Sequence, residues 1–155
     1  MRIGSPEEDA WHEAGHAVIA LALGARVTSL TLEDEDARFE GRAVVLWPAA
    51  PPGVRAEWSA QVALAGPLTE LAQFGDGAPT SPSQLSAWKA DWEEVERCAA
   101  LLAPDPGERT LWIERRFKDV EGLLARSEIQ ERIARVADAL DAHGTLDETL
   151  IEDCI

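Results

Sequence analysis

Residues 5–24 constrain the fold more than any other part of the chain. Ser5, Pro6 and Glu8 form a helix start, with Ser5 as the N-cap, proline at the first helical position and a glutamate in the capping-box position. From Ala14 onward the segment is apolar on nearly every side, and Gly24 suits the C-terminal stop. We therefore predict a helix from Pro6 that runs through the centre of the core.

Two short β-type segments follow this helix. Residues 26–32 alternate in polarity and are rich in β-branched side chains, and residues 41–47 repeat the pattern. The acidic stretch at residues 33–36 is too charged for a strand, which indicates an antiparallel pair with a solvated connection. The sequence thus predicts a small antiparallel sheet.

The rest of the chain has mainly helical patterns. Residues 54–65 are helical in pattern, and Pro67 must either kink that helix or open a new one. Proline and glycine predict a loop over residues 75–86. Further helices are predicted over residues 87–103, 106–125, 128–142 and 146–153. Three of them begin with capping boxes, which are Asp105 with Glu108, Ser127 with Gln130, and Thr145 with Glu148.

These elements predict one mainly α (α+β) domain over residues 1–155. With 29 acidic and 14 basic side chains, the net charge of -15 disfavours nucleic acid and anionic membranes as partners. The longest apolar run, within residues 14–25, is shorter than the roughly 20 residues that span a bilayer. No signal peptide is recognisable, and Cys98 and Cys154 are expected to be free thiols, so we expect a cytoplasmic protein.

The first helix carries His12-Glu13-Ala14-Gly15-His16, which matches the motif His-Glu-x-x-His. Residues four apart share a helix face, so both imidazoles can reach one metal ion. Glu13 is rotated by about 100° from His12, which keeps it off the metal but beside a water bound there. The motif predicts a zinc site in which Glu13 takes a proton from that water as general base.

Buried histidines are also often core residues that form a backbone hydrogen bond, and this alternative applies to each imidazole taken singly. The pair together favours a metal. Both imidazoles lie on the apolar stripe continued by Ile19, Ala20 and Leu23, where unpaired polar atoms are costly. One zinc ion would satisfy both nitrogens.

Zinc needs a third protein ligand if a water is to hold the fourth position. Neither cysteine is an obvious candidate, and His143 stands at a predicted helix end before Gly144, where imidazoles commonly cap carbonyls. Asp91 lies in an apolar stripe with Trp88 and Val95, where an unpaired carboxylate is costly. We predict Asp91 as the third ligand. The alternatives are an ion pair with an arginine, or a helix rotated so that Asp91 is exposed.

Glu70 is a further candidate, because it shares a helix face with Gly66 and Phe74. Three interpretations stay open for this residue. It is a third zinc ligand, an acceptor for the N–H of a ligating imidazole, or a surface glutamate.

Five short segments, spread over almost the whole chain, carry a family resemblance. They are His12-Glu13-Ala14-Gly15-His16-Ala17, Val27-Thr28-Ser29-Leu30-Thr31-Leu32, Leu64-Ala65-Gly66-Pro67-Leu68-Thr69-Glu70, Ala90-Asp91-Trp92-Glu93 and Gly144-Thr145-Leu146-Asp147. In this order they resemble the peptidase domain of the FtsH-type ATP-dependent zinc metalloproteases. The resemblance implies a mostly helical, zincin-like domain in which His12, His16 and Asp91 bind zinc and Glu13 activates water.

The sequence differs from the usual family pattern in three respects. Lys89-Ala90 precedes Asp91 where the family usually has an asparagine directly before the aspartate, and Pro67 stands where arginine is common. Neither an ATPase module nor a membrane anchor is recognisable. The family's ring assembly and substrate unfolding therefore cannot be inferred for this chain.

The sequence predicts a zinc metalloendopeptidase that hydrolyses peptide bonds through a metal-activated water, with Glu13 as general base. The alternative is a catalytically silent, zinc-bound interaction or regulatory module derived from such a peptidase. The intact Glu13 favours the enzyme, because a binding module has no need of the base. Peptides and unfolded proteins are the expected substrates, and a separate ATPase would have to deliver folded ones.

Overall fold

A computed structural model describes residues 5–32, 42–75 and 81–155. The chain is mainly helical with a small antiparallel sheet, which confirms the predicted fold class. The elements, in chain order, are α1 (Pro6–Ala22), β1 (Arg26–Thr31), β2 (Arg42–Leu46), α2 (Pro52–Phe74), a 3-10 helix (Pro82–Ala87), α3 (Lys89–Leu102), α4 (Pro106–Leu124), α5 (Ser127–His143), β3 (Thr145–Asp147) and α6 (Glu148–Glu152). The predicted acidic connection at residues 33–36 lies outside the described residues.

Helix α1 is the central element, as predicted. The Ser5 hydroxyl accepts a hydrogen bond from the Glu8 N–H at 3.2 Å, so the N-cap lies where the sequence indicates it. Every residue from 13 to 20 is buried, because α2, α5 and the sheet all pack against this helix. After its last turn Gly24 adopts a φ of +99°, a conformation that glycine reaches without strain.

The sheet has three strands in the order β2-β1-β3, one more than the sequence predicted. Strand β3 pairs antiparallel with β1, and Leu146 lies opposite Leu30, with both side chains fully buried. The predicted helix over residues 146–153 is therefore wrong in its first part, and the Thr145–Glu148 capping box is wrong with it. Asp147 is the N-cap of α6, accepting from the Leu150 N–H at 2.9 Å.

Helix α2 continues through Pro67, so the predicted helix neither ends at residue 65 nor restarts there. An interior proline removes one intrahelical hydrogen bond and costs about 3 kcal/mol. All residues from 63 to 70 are buried between α1 and α3, and this packing holds the segment helical through the defect.

Other predicted boundaries need correction. The predicted loop over residues 75–86 contains most of the 3-10 helix, which starts with a capping box between Ser81 and Gln84; residues 76–80 lie outside the described residues. Helix α3 starts at Lys89 rather than at residue 87. Ser127 is the first residue of α5, and its N-cap is Arg126, so the predicted Ser127 capping box is wrong.

Two further predictions are confirmed by the structure. The Asp105 carboxylate caps α4, accepting from the N–H groups of Gly107 at 2.8 Å and Glu108 at 3.3 Å. Cys98, which is buried, and Cys154, which is partly buried, are both free thiols.

None of the helices in the described ranges combines the length and the apolarity needed to cross a bilayer.

Candidate metal centre

The two motif histidines lie one turn apart on the same face of α1. Their Nε2 atoms are 3.0 Å apart, and the ring planes are nearly perpendicular, at 84°. Helical periodicity places the two side chains on this face, because residues four apart stand above one another. The pair thus presents two nitrogen atoms to one point in space.

The opposite ring nitrogens contact acceptors on α2. His16 Nδ1 lies 2.6 Å from the carbonyl oxygen of Val62, and His12 Nδ1 lies 3.5 Å from Glu70 Oε2. An imidazole that donates through Nδ1 carries its lone pair on Nε2, the form that binds metals. Acceptors on α2 therefore orient both rings toward the shared point.

Asp91 meets the imidazoles from α3. Its Oδ2 lies 2.9 Å from His12 Nε2, and its Oδ1 lies 3.4 Å from His16 Nε2. The structure thus brings Asp91 to His12 and His16, although 75 residues separate His16 from Asp91 in the sequence. The alternatives of an arginine partner and of an outward rotation do not fit this geometry, because the carboxylate faces the two histidines.

Glu13 is buried beside this group, with only 4% of its surface exposed. One ligand atom from each of His12, Glu13 and His16 can be chosen so that all three lie within 4.8 Å of one another. The Oε2 atom of Glu13 has no hydrogen-bond partner among the described residues. An unsatisfied buried carboxylate oxygen is costly, so a ligand or water beside it would be stabilised.

Glu70 is 1% exposed, which rules out the interpretation as a surface glutamate. Its Oε2 accepts a hydrogen bond from the indole N–H of Trp88 and faces Nδ1 of His12. It therefore lies behind the imidazole, on the opposite side from Nε2. This position suits the predicted acceptor that orients His12 better than it suits a direct ligand.

Two glycines allow α1 and α2 to approach closely at the site. A Cβ on Gly66 would lie 2.5 Å from His16 Nε2 and 2.8 Å from His12 Nε2. A Cβ on Gly15 would lie 2.4 Å from the Thr69 hydroxyl oxygen. Any larger side chain at either position would push the helices or the imidazoles apart.

The charges in the site are strongly coupled. Burial disfavours charge on His12, but hydrogen bonds to Asp91 and Glu70 outweigh it and raise the His12 pKa to about 10. The pKa of His16 is likewise raised by Asp91 against the effect of burial. Burial opposes charge on Asp91, yet the histidines hold its pKa well below the usual range. Burial raises the pKa of Glu13.

The donor set fits zinc in its chemistry, and two of its three atom pairs would have to separate by about 0.5 Å to reach the spacing of zinc ligands. Tetrahedral zinc, with bonds of about 2.0–2.2 Å, separates its ligand atoms by about 3.3–3.5 Å. The facing atoms of His12, His16 and Asp91 are 2.9, 3.0 and 3.4 Å apart. Two imidazoles with one carboxylate are also a known ligand set for catalytic zinc.

His12, Glu13, His16 and Asp91 line a cleft of about 330 Å³. One wall is formed by Ala43 and Val45 of β2, an edge strand of the described sheet, and by Trp47, which directly follows the strand. The other walls are α2 and α3. The site atoms therefore face a space that an extended chain could enter.

No protein-family model matches the chain, and no curated protein shows significant sequence similarity to it.

Several residues of the site were not predicted as site residues from the sequence. The Val62 carbonyl acts through its backbone, and the Trp88 indole reaches Glu70 only because the 3-10 helix turns the chain there. Gly66 belongs to one of the segments that carry the family resemblance, but its contact with the imidazoles depends on how α1 and α2 cross. Helical spacing from Gly66 to Glu70 is the one sequence feature that connects it with the site.

Proposed function

We propose that this protein is a zinc-dependent metallopeptidase in which His12, His16 and Asp91 hold the metal. The observation that carries the proposal is the convergence of two imidazole nitrogens and one carboxylate at 2.9–3.4 Å, beside the buried Glu13, in the lining of a cleft. Zinc held there would supply a Lewis acid for the scissile carbonyl and lower the pKa of a water to about 7.

Glu13 acts as general base in this proposal. Its Oε2 has no partner among the described side chains and backbone atoms, so it can accept a proton from the attacking water. The same carboxyl group then donates that proton to the leaving amine. Burial raises the pKa of Glu13, which brings it closer to the range in which proton transfer in both directions is efficient.

The neighbouring residues keep the reacting groups in place. The Val62 carbonyl and Glu70 hold the two imidazoles through their Nδ1 atoms, and Trp88 holds Glu70 in turn. Strand β2 offers backbone groups at the edge of the described sheet, where an extended substrate can pair. We therefore propose peptides and unfolded chains as the substrates.

The ordered motif likeness supports assignment to the FtsH-type peptidase family, which we propose on that basis. The site geometry is compatible with this assignment, since Asp91 meets the motif histidines from a distant helix. We further propose that the protein works in the cytoplasm, and that folded substrates require a separate ATPase as partner.

The test compares metal content with hydrolysis of an unfolded, casein-like substrate. The protein should hold about one zinc per chain, and His12→Ala and His16→Ala should lose it, because two remaining ligands rarely hold zinc well. Glu13→Gln should keep the zinc and the fold but lose hydrolysis, because the amide cannot accept the proton.

His143→Ala is the matched control, since it removes the third histidine of the chain from the last turn of α5. It should keep both zinc and activity. Absence of zinc after reconstitution would contradict the metal site. Zinc binding without hydrolysis of any unfolded substrate would favour the silent interaction module instead.

A further inference from the structure

Among the described residues, only two charged side chains line the cleft apart from His12, Glu13, His16 and Asp91. They are Arg42, at the start of β2, and Glu94, on α3. Neither has a place in the proposed reaction. They stand on different walls of the cleft, so each can contact a bound chain from its own side.

The charge of Glu94 is compensated within the protein. Arg97 holds its carboxylate with two hydrogen bonds, from Nε at 2.5 Å and from Nη2 at 2.9 Å. Arg42, in contrast, is exposed and has no ion-pair partner in the part of the chain that the structure describes. Arg42 is therefore the cation that the cleft offers to a ligand.

We propose that Arg42 binds a carboxylate group of the substrate, carried by an acidic side chain or by the chain terminus. The proposal rests on the proposed function, because it takes the cleft as a peptide-binding site. A guanidinium presents donors in a fork that matches a carboxylate, so arginine is well suited to this contact.

The strand sets where along the substrate this carboxylate binds. Arg42 is the first residue of β2, and Trp47 directly follows its last residue, Leu46; both line the cleft. At about 3.3 Å per residue the strand from Arg42 to Leu46 rises about 13 Å, the length of about four extended substrate residues. The carboxylate thus binds at the Arg42 end, and the indole of Trp47 offers apolar surface to the other end.

Local charge and net charge oppose each other here. The chain as a whole carries a charge of -15, which repels acidic peptides at long range. At 0.15 M ionic strength the screening length is about 8 Å, so distant surface charges contribute little while a direct contact persists. Under these conditions the direct contact with Arg42 determines whether an acidic peptide binds more tightly than a neutral one. Peptide binding is therefore best measured at this salt concentration.

The test measures binding rather than turnover. Labelled peptides of about eight residues, otherwise neutral, carry one Glu or one Gln at each position in turn, with a free or an amidated C-terminus. Zinc-loaded Glu13→Gln protein binds them without cleavage, and fluorescence anisotropy gives the dissociation constants. The Glu peptide should bind about 2- to 5-fold more tightly than its Gln counterpart at one position, as expected for an exposed ion pair.

Variants of Arg42 identify the origin of the preference. In the Glu13→Gln background, Arg42→Ala should abolish it, Arg42→Lys should retain part of it, and Arg42→Glu should reverse it. Arg55→Ala is the matched control, because Arg55 is exposed on α2 but does not line the cleft. That control should keep the preference unchanged.

The outcomes separate the two proposals. A preference that follows the free C-terminus and disappears in Arg42→Ala supports the contact and identifies the terminal carboxylate as its source. Equal binding of acidic and neutral peptides, or a preference that survives Arg42→Ala, overturns the inference. Failure of the unaltered enzyme to cleave any peptide counts against the peptidase and leaves this binding comparison valid.

Discussion

Gly66 provides the most direct test of the site geometry, because its missing side chain makes room for both imidazoles. In Gly66→Ala the new Cβ would lie 2.5 Å from His16 Nε2 and Cε1, whereas ordinary contact begins at 3.4 Å. The methyl group and the ring must therefore separate by about 0.9 Å. Metal ligands tolerate only about 0.2 Å of displacement, so zinc binding should weaken by about 100-fold or more.

Fold stability should respond much less than zinc affinity. Overpacking costs about 1–3 kcal/mol, while replacing a helical glycine by alanine recovers up to about 1 kcal/mol of helix propensity. The metal-free Gly66→Ala protein should thus lose about 0–2 kcal/mol of unfolding free energy. Zinc titration against a competing chelator and urea unfolding in chelator measure the two quantities separately.

Gly122→Ala makes the same substitution on α4, where a Cβ would meet nothing within 4 Å. It should leave zinc affinity unchanged and stabilise the fold by up to about 1 kcal/mol. If Gly66→Ala binds zinc as tightly as this control, the imidazole Nε2 atoms are not the ligand atoms and the proposed centre is wrong.

The remaining predictions concern the third ligand and the protons of the site. Asp91→Ala should weaken zinc affinity more than Glu70→Gln, which should lower it by about 10- to 100-fold, while Glu93→Gln should have little effect. Metal titration measures all three affinities. If Glu70→Gln lost more affinity than Asp91→Ala, Glu70 would be the ligand and Asp91 would not. Zinc binding near pH 7 should release protons, because Asp91 and Glu70, against the effect of burial, raise the pKa of His12 to about 10. The apparent zinc affinity should fall as the pH falls. Calorimetry in two buffers with different ionisation heats would detect the released protons, and the absence of proton release would contradict the assignment of His12 as a zinc ligand.

Local sequence signals predicted the parts of the site that lie on one helix. The cap at Ser5 and the spacing of His12 and His16 act within a few residues, so helical geometry places both imidazoles on one face, while acceptors on α2 orient the rings. Asp91 is a different case. Its position in an apolar stripe indicated that a partner was needed, but only the packing of α3 against α2 brought it to the histidines.

Tertiary contacts overrode local signals in two elements. Of the two outcomes predicted for Pro67, a kink or the start of a new helix, the second does not occur because α2 continues through it; three residues from Thr145 form a strand because β1 lies beside them. Neither the continuation of α2 nor this strand can be predicted from the neighbouring residues alone, since an interior proline destabilises a helix and a three-residue segment has almost no strand propensity of its own. In both cases the energy of buried contacts exceeds the local preference.

By itself, the sequence determined the central helix, the pair of histidines with Glu13 beside them, and the mainly helical class with a small sheet. These features depend on hydrogen bonds and side-chain periodicity between residues that are close together in the sequence, within a single helix or strand. The tertiary structure alone decided that Glu70 is buried behind His12, that Gly66 faces the imidazoles, and that Arg42 lines the cleft. Those relations depend on how separate helices and strands pack, and the pairwise distances that packing creates are not encoded in the spacing of residues along one element.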